Sequence, residues 1–385
     1  MSTVVRDEPV SRPITGLGAV AATGSGIDEL FESLCAGRSG PSRLRGFDAS
    51  RFRAPYGYEV DDRPVPGADV AGRATRLLLD AVGQAAADAG LGEDLSGIPV
   101  LVGTGMRELR SLELWWRDGS PFADSGLDFG TALRERFGVE VTHTFSNACA
   151  ASLYALALAS DLLGQEGEDA LDTVIVAGVD VLTESLYGLM ERARPADRDR
   201  RSVAMGEGAA AIVLRRAGGP AQRAHGALRA VAVNCDAHRV TEPSPQGIAE
   251  AMRAAHRLAG VKAADVDLVM LHGSGTPAGD RAEAAALAAV LGESAAAPLM
   301  TAVTSTTGRT SGAFGLLSLV VGLRALNEGR VPPTAPPAEP GGENHPFRLV
   351  TDEPAVAPHL NLAQLNAFGL GGINAVAIVE GARGM

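Results

Sequence analysis

Thr144-Phe145-Ser146-Asn147-Ala148-Cys149-Ala150-Ala151-Ser152-Leu153 joins the end of a strand-like segment to the start of a wholly apolar helical one. The join presents one thiol at a buried helix N-terminus. Free N–H groups and the positive end of the helix dipole favour a thiolate there, the form that attacks a thioester carbonyl. A lone buried cysteine more often only packs. What converges on Cys149 from the rest of the chain therefore decides its meaning.

Working outward, apolar periodicity alternates between strand and helix. Pro13 to Val20 reads as a strand, and Gly26-Ile27-Asp28 opens a helix with Leu30, Phe31 and Leu34 on one face. Arg73 to Ala89 is a second amphipathic helix ended by Gly90, and Ile98 to Gly103 a short buried strand. From Met106 to Phe137, a stretch containing Trp115 and Trp116, the rhythm breaks; this segment is expected to lie over or between subunits. A helix from Cys149 to Leu163 follows, then strands Thr173–Gly178 and Ala209–Leu214.

Gly218 to His225 lacks apolar periodicity and marks a linker, dividing the chain into residues 1–220 and 221–385. Beyond it the alternation restarts with strand Ala227–Asn234, helix Gly247–Leu258, strand Val266–Leu271 and helix Gly279–Leu291. A long helix Gly312–Leu326 and strands near Leu362–Asn366 and Ala375–Val379 close the chain. Each half sets a turn of small residues directly before a long apolar helix, around Cys149 and around Gly308-Arg309-Thr310-Ser311-Gly312. The pattern predicts a pseudo-duplicated α/β protein with parallel sheets.

Composition narrows the function. The 385 residues are 46% hydrophobic but only 4% aromatic, so the core is built of Ala, Val and Leu. No apolar run of membrane-spanning length is free of charges or breakers, and the N-terminus has no signal core, so a cytoplasmic protein off the membrane is expected. Cys35, Cys149 and Cys235 have no C-x-x-C spacing, which points to a reducing compartment and to no metal site. A net charge of −12 argues against a broad nucleic-acid surface. The Arg192, Arg194, Arg198, Arg200, Arg201 cluster reads as a solvated loop or a local basic patch.

Two further segments carry chemistry. Leu271-His272-Gly273-Ser274-Gly275-Thr276 leaves the end of an apolar strand, where a histidine projects into a crevice. Asn366-Ala367-Phe368-Gly369-Leu370-Gly371-Gly372-Ile373-Asn374 holds three glycines between strands, and its backbone N–H groups can form an oxyanion pocket. Either motif alone is a weak signal.

In this order, the motifs resemble the β-ketoacyl synthase family of the thiolase fold. Thr15–Val20 through Ala36–Gly40 is similar to the family's opening, Asn147–Ser152 to its nucleophile motif, and Pro195–Arg200 into Met205–Ala209 to an interior signature. The His272 and Phe368–Asn374 loops match two later signatures. The resemblance implies a layered αβαβα core. It implies that Cys149 accepts an acyl group from a phosphopantetheine thioester on an acyl carrier protein, with no cofactor of the enzyme's own. Backbone N–H groups of Cys149 and Leu370 would form the oxyanion hole, and His272 would be a base or hydrogen-bond donor. Ser274 and Thr276 match positions touching the pantetheine arm; Met106 matches an acyl-pocket residue often reached across a dimer interface, and Phe368 joins the substrate-binding set. A homodimer, or a heterodimer with a ketosynthase-like subunit, is implied.

The chain also departs from the family. The second active-site histidine is Arg309, the lysine expected five residues earlier is Thr304, and the glutamate expected nine later is Ser318. Leu370 replaces a usual phenylalanine gate, and Ile373 a usual threonine. Arginine is permanently cationic and cannot act as a neutral imidazole does. The expectation is an acyltransferase of type II polyketide or fatty-acid-like biosynthesis with impaired decarboxylative condensation. The alternative is a non-catalytic partner like the chain-length-factor subunits.

Overall fold

Five strands of the first half lie side by side in the order Thr142–Phe145, Val100–Gly103, Thr173–Asp180, Gly208–Arg215, Arg12–Ala21. The second half repeats this with Leu299–Thr301, Leu268–Met270, Leu362–Gly369, Ile373–Gly381, Gly226–Cys235. Numbered by succession within each half, both run 3-2-4-5-1. In both, strands 3, 2 and 4 are mutually parallel and strands 4, 5 and 1 antiparallel. These arrangements come from a computed structural model that describes residues 11–38, 41–63, 69–193, 205–218, 223–334 and 346–384.

The parallel-sheet expectation therefore holds for half of these pairings and needs correction for the others. In the second half the reason is local: only Leu370, Gly371 and Gly372 separate Gly369 from Ile373, paired across the hairpin. A parallel crossover needs a dozen residues or more. The two halves meet where Arg12–Ile14 pairs antiparallel with Gly226–Leu228.

Three apolar clusters define the layers. One lies under helix Arg73–Asp88 against the first sheet, and another under helices Pro245–Ala259 and Pro277–Leu291 against the second. The third lies between the sheets around helices Ala151–Leu162 and Phe314–Glu328. Both central helices touch strands of both halves. The order is helix, sheet, helix, sheet, helix. Because both faces of these strands are covered, they read as continuous apolar runs rather than alternating ones.

The region expected to break the rhythm contains helices Leu109–Asp118 and Gly130–Phe137, with Trp116 82% exposed. Residues 194–201 of the arginine cluster, the Pro195–Arg200 signature and part of the linker lie outside the described residues. Among the described residues, no helix is long and apolar enough to cross a membrane.

Candidate active site

Two glycines let the nucleophile helix sit where it does. A Cβ on Gly103 would lie 2.3 Å from Ser152 N, and one on Gly178 2.9 Å from Gly312 O, so strand ends press directly on both central helix starts. The approach to each helix is strained in the same way. Ala148 has φ 49° and Ser311 φ 46°, each three residues before its helix begins at Ala151 or Phe314. A side chain in the left-handed region costs about 1–2 kcal/mol, and such strain concentrates at functional turns.

The turn at Ala148 places Cys149 in a short 3-10 segment, buried, ahead of the apolar helix. Burial pushes its thiol above the ordinary range; Arg309 opposes this and Asp180 adds to it. Removal from water thus opposes the stabilisation of a thiolate expected from the helix start.

His272 follows strand Leu268–Met270 and is buried. Burial first, then Arg309, push its imidazole down to about 3, so the ring is neutral. The Phe368 N–H approaches Nδ1 at 3.5 Å, which leaves the proton on Nε2. The ring stands edge-on to Phe314 at 5.1 Å and tilted to Phe368 at 5.5 Å. Phe368 is buried and serves as backing for His272. Next to it, a Cβ on Gly369 would lie 3.1 Å from both Asn147 O and Ala148 Cβ. The hairpin therefore touches the histidine with one residue and the nucleophile turn with the next. Leu370 follows at its tip, 43% exposed, its N–H without an acceptor among the described residues.

Arg309 comes from the turn before the second central helix. Gly308 has φ 72°, and a Cβ there would meet the Tyr58 ring at 2.4 Å, so a side chain is excluded. Gly206 N–H donates to the Arg309 carbonyl at 2.9 Å, and Arg309 Nη2 donates to the Ser274 carbonyl. Among the described residues the guanidinium has no ion-pair partner. Its charge acts on Cys149, His272 and Asp280. Thr304 Oγ1 donates to Gly273 O at 2.9 Å. Ser318 is buried with no partner for its hydroxyl among the described residues.

Ser274 and Thr276 already serve the helix they precede. Thr276 Oγ1 accepts from Gly279 N–H at 3.2 Å and lies 2.8 Å from Ser274 Oγ, which donates to Asp280 Oδ1 at 2.9 Å. Both hydroxyl protons are committed, and Ser274 Oγ also accepts from Thr276 N–H at 3.1 Å, so an incoming amide finds its acceptor at Thr276 Oγ1. Met106 packs on the Leu44, Phe47, Leu182, Tyr187 cluster, its N–H donated to Asp180 Oδ1 at 3.0 Å.

Sequence reasoning missed the acids that hold these loops. Asp180 ends a strand, 1% exposed, accepting from Thr104 Oγ1, Gly105 N–H, Met106 N–H and Gly312 N–H at 3.0, 2.7, 3.0 and 2.5 Å. It ties the Met106 loop to the start of the second central helix. Burial pushes its carboxyl up and the four donors pull it back. Glu283 accepts from His272 N–H at 2.8 Å and Gly273 N–H at 3.0 Å; burial raises it to about 7 against these bonds. The available signal was an acid ending an apolar strand, or facing inward on a helix.

The sequence profile "Beta-ketoacyl synthase, N-terminal domain" matches residues 11–218, and "Beta-ketoacyl synthase, C-terminal domain" matches residues 225–337. The chain is 26% identical to 3-oxoacyl-[acyl-carrier-protein] synthase 2 of Coxiella burnetii, over 95% of this chain and 97% of that protein. It is 28% identical to the tetracenomycin polyketide synthase ketoacyl synthase alpha subunit of Streptomyces glaucescens, over 86% and 88%. The solved ishigamide ketosynthase/chain length factor superposes with a TM-score of 0.84 at 27% identity, covering 97% of this chain and all of that one.

Proposed function

The chain belongs to the β-ketoacyl synthase family, and from that premise we propose that it takes an acyl chain from a carrier-protein thioester onto Cys149. The observation that carries the proposal is the junction of Cys149, the neutral His272 ring and the free Leu370 N–H across one hairpin. Attack by the Cys149 sulfur forms the new thioester and expels the pantetheine thiol, which takes the proton. The N–H groups of Cys149 and Leu370 face the developing oxyanion, an interaction worth about 10²–10³ in rate per donor. With Nδ1 facing an N–H and the proton on Nε2, His272 acts in the second step as a donor rather than a base.

Arg309 shapes that second step. Decarboxylative condensation requires a malonyl carboxylate to leave as CO₂. A fixed guanidinium stabilises that carboxylate in the ground state and so works against its loss. We assign Arg309 to holding a substrate carboxylate, with acyl transfer favoured over condensation. The reading as a chain-length-factor-like partner draws support from the vacated Thr304 and Ser318 positions and the likeness to the ishigamide pair; the intact Cys149–His272 junction weighs against it.

Incubation with acyl-loaded carrier protein and intact mass measurement tests the proposal. The expected result is an acyl adduct absent from Cys149→Ala. No adduct with any chain would favour the partner reading. Added malonyl carrier protein is expected to release little CO₂. Arg309→His is expected not to restore elongation, since Thr304 and Ser318 are not suited to orient the ring.

A further inference from the structure

A second group of buried polar side chains runs away from the site across the outer face of the second sheet. His256 Nε2 meets Gln364 Oε1 at 2.7 Å, Gln364 Nε2 donates to Asn366 Oδ1 at 2.9 Å, and Asn366 Nδ2 donates to Glu283 Oε1 at 2.9 Å. Glu283 ends the run beneath the His272–Gly273 backbone. His256 is 6% exposed, Gln364 0%, Asn366 1% and Glu283 4%, so water does not stand in for a lost partner. Gln364 and Asn366 are two apart on one strand and thus share its outer face.

The polarity of this run is forced. A carboxylate only accepts, so Asn366 must turn its amide N–H₂ to Glu283 and its oxygen to Gln364. Gln364 must then donate to Asn366 and offer its oxygen to His256, whose Nε2 must carry the proton. A proton on Glu283 Oε1 inverts every link, whereas one on Oε2 would face the Gly273 N–H, itself a donor. The acid O–H would seek Asn366 Oδ1, both amides would flip, and His256 would have to accept on Nε2. One group at each end decides the state of the whole.

We propose that His256, Gln364 and Asn366 form a hydrogen-bond chain of fixed polarity that holds Glu283 as an acceptor under the His272 loop, making His256 a remote positioning residue for the second chemical step. Its bearing on catalysis rests on the function proposed above; the coupling between His256 and Glu283 does not. The charged neighbours are accounted for. Asp280 on the same helix disfavours the Glu283 carboxylate, Arg309 acts on Asp280 and on His272 at the adjoining loop, and Asp265 faces His256. Burial raises Glu283 to about 7 against the donors that favour its carboxylate, so loss of the chain is read near neutral pH.

The test uses the full chain and two readouts. First, an infrared pH titration follows the carboxylic-acid band that disappears in Glu283→Gln. In His256→Leu its midpoint is expected to move to higher pH, because the last donor that fixes the chain is gone. Gln364→Leu, one link further in, is expected to move it the same way, and His256→Gln, which keeps an N–H donor, to return it towards wild type. Second, the step after Cys149 acylation is expected to slow about tenfold at about pH 6 in His256→Leu, the worth of one hydrogen bond to a charged group. It is expected to recover at about pH 9, with the acylation rate unchanged throughout. An unmoved band midpoint in both Leu variants overturns the proposal, as does a rate loss equal at every pH. If Cys149 takes up no acyl chain in the wild type, the proposed function fails while the infrared midpoint still decides this inference.

Discussion

Asp180→Asn isolates the part of the site that ties the Met106 loop to the start of the second central helix. The two carboxylate oxygens share four donors, two each: Thr104 Oγ1 and Met106 N–H on Oδ1, Gly105 N–H and Gly312 N–H on Oδ2. Thr104 Oγ1 itself accepts from Arg107 N–H at 2.9 Å, so its own proton goes to Asp180. With no acceptor facing it, the carboxyl is held ionised despite burial. An asparagine of the same shape keeps one oxygen and replaces the other with N–H₂. With the amide turned to Gly105 and Gly312, two N–H groups face a donor; turned to Met106 and Thr104, one N–H does and the Thr104 hydroxyl gives up its acceptor. At about 1–3 kcal/mol for each orphaned group, less some settling, the loss is about 3 kcal/mol, a large share of a typical 5–15 kcal/mol stability. Urea unfolding measures it.

The same substitution has an electrostatic signature at the nucleophile. Asp180 raises the Cys149 thiol, so its removal is expected to lower the pH at which Cys149 is alkylated by iodoacetamide. The experiment is read by intact mass in a Cys235→Ser background, since Cys235 is exposed, whereas buried Cys35 is pushed up to about 11. Stability within about 1 kcal/mol of wild type, or an alkylation midpoint that rises, would refute the reasoning.

Two further outcomes are expected. The His272 ring, held down to about 3 by burial and Arg309, should show no titration between about pH 5 and 8 when its ring proton is followed by NMR. The sign of its effect on stability follows. The unfolded chain binds a proton near 6.5 and the folded one only near 3, so His272 contributes stability that is full above 6.5 and lost as pH falls towards 3. Gly103→Ala drives a methyl to within 2.3 Å of Ser152 N and 2.4 Å of its Cα, backbone atoms that cannot step aside. We expect a loss of about 3 kcal/mol in urea unfolding and slower Cys149 acylation, whereas Gly92→Ala, which meets only Asp94 N at 4.0 Å, should be neutral.

Much of the site was legible because its signals are local. Cys149 and His272 stand where strand-to-helix and strand-to-loop changes of period put them, and the glycines around Leu370 mark the hairpin tip. The helices at Arg73, Pro245, Pro277 and Phe314 begin within two residues of where periodicity sets them. Strand direction was not legible, since a continuous apolar run looks alike whether its neighbour is parallel or antiparallel. The effect of burial on Cys149 was not legible for a related reason. A helix dipole is a property of the local segment, but the desolvation of Cys149 is set by what covers it.

The chain alone determined the alternation of strands and helices and the repeat of that alternation, since periodicity and glycine punctuation act over a few residues; Cys149, His272 and Arg309 stood out through the resemblance of their motifs to a family. Tertiary structure alone decided the neutral state and tautomer of His272, the direction of the Arg309 guanidinium, and the grip of Asp180 and Glu283 on loops far away in sequence. Those depend on which polar groups are taken out of water together. Burial and long-range hydrogen bonding are properties of the packed layers, and no short window of residues encodes them.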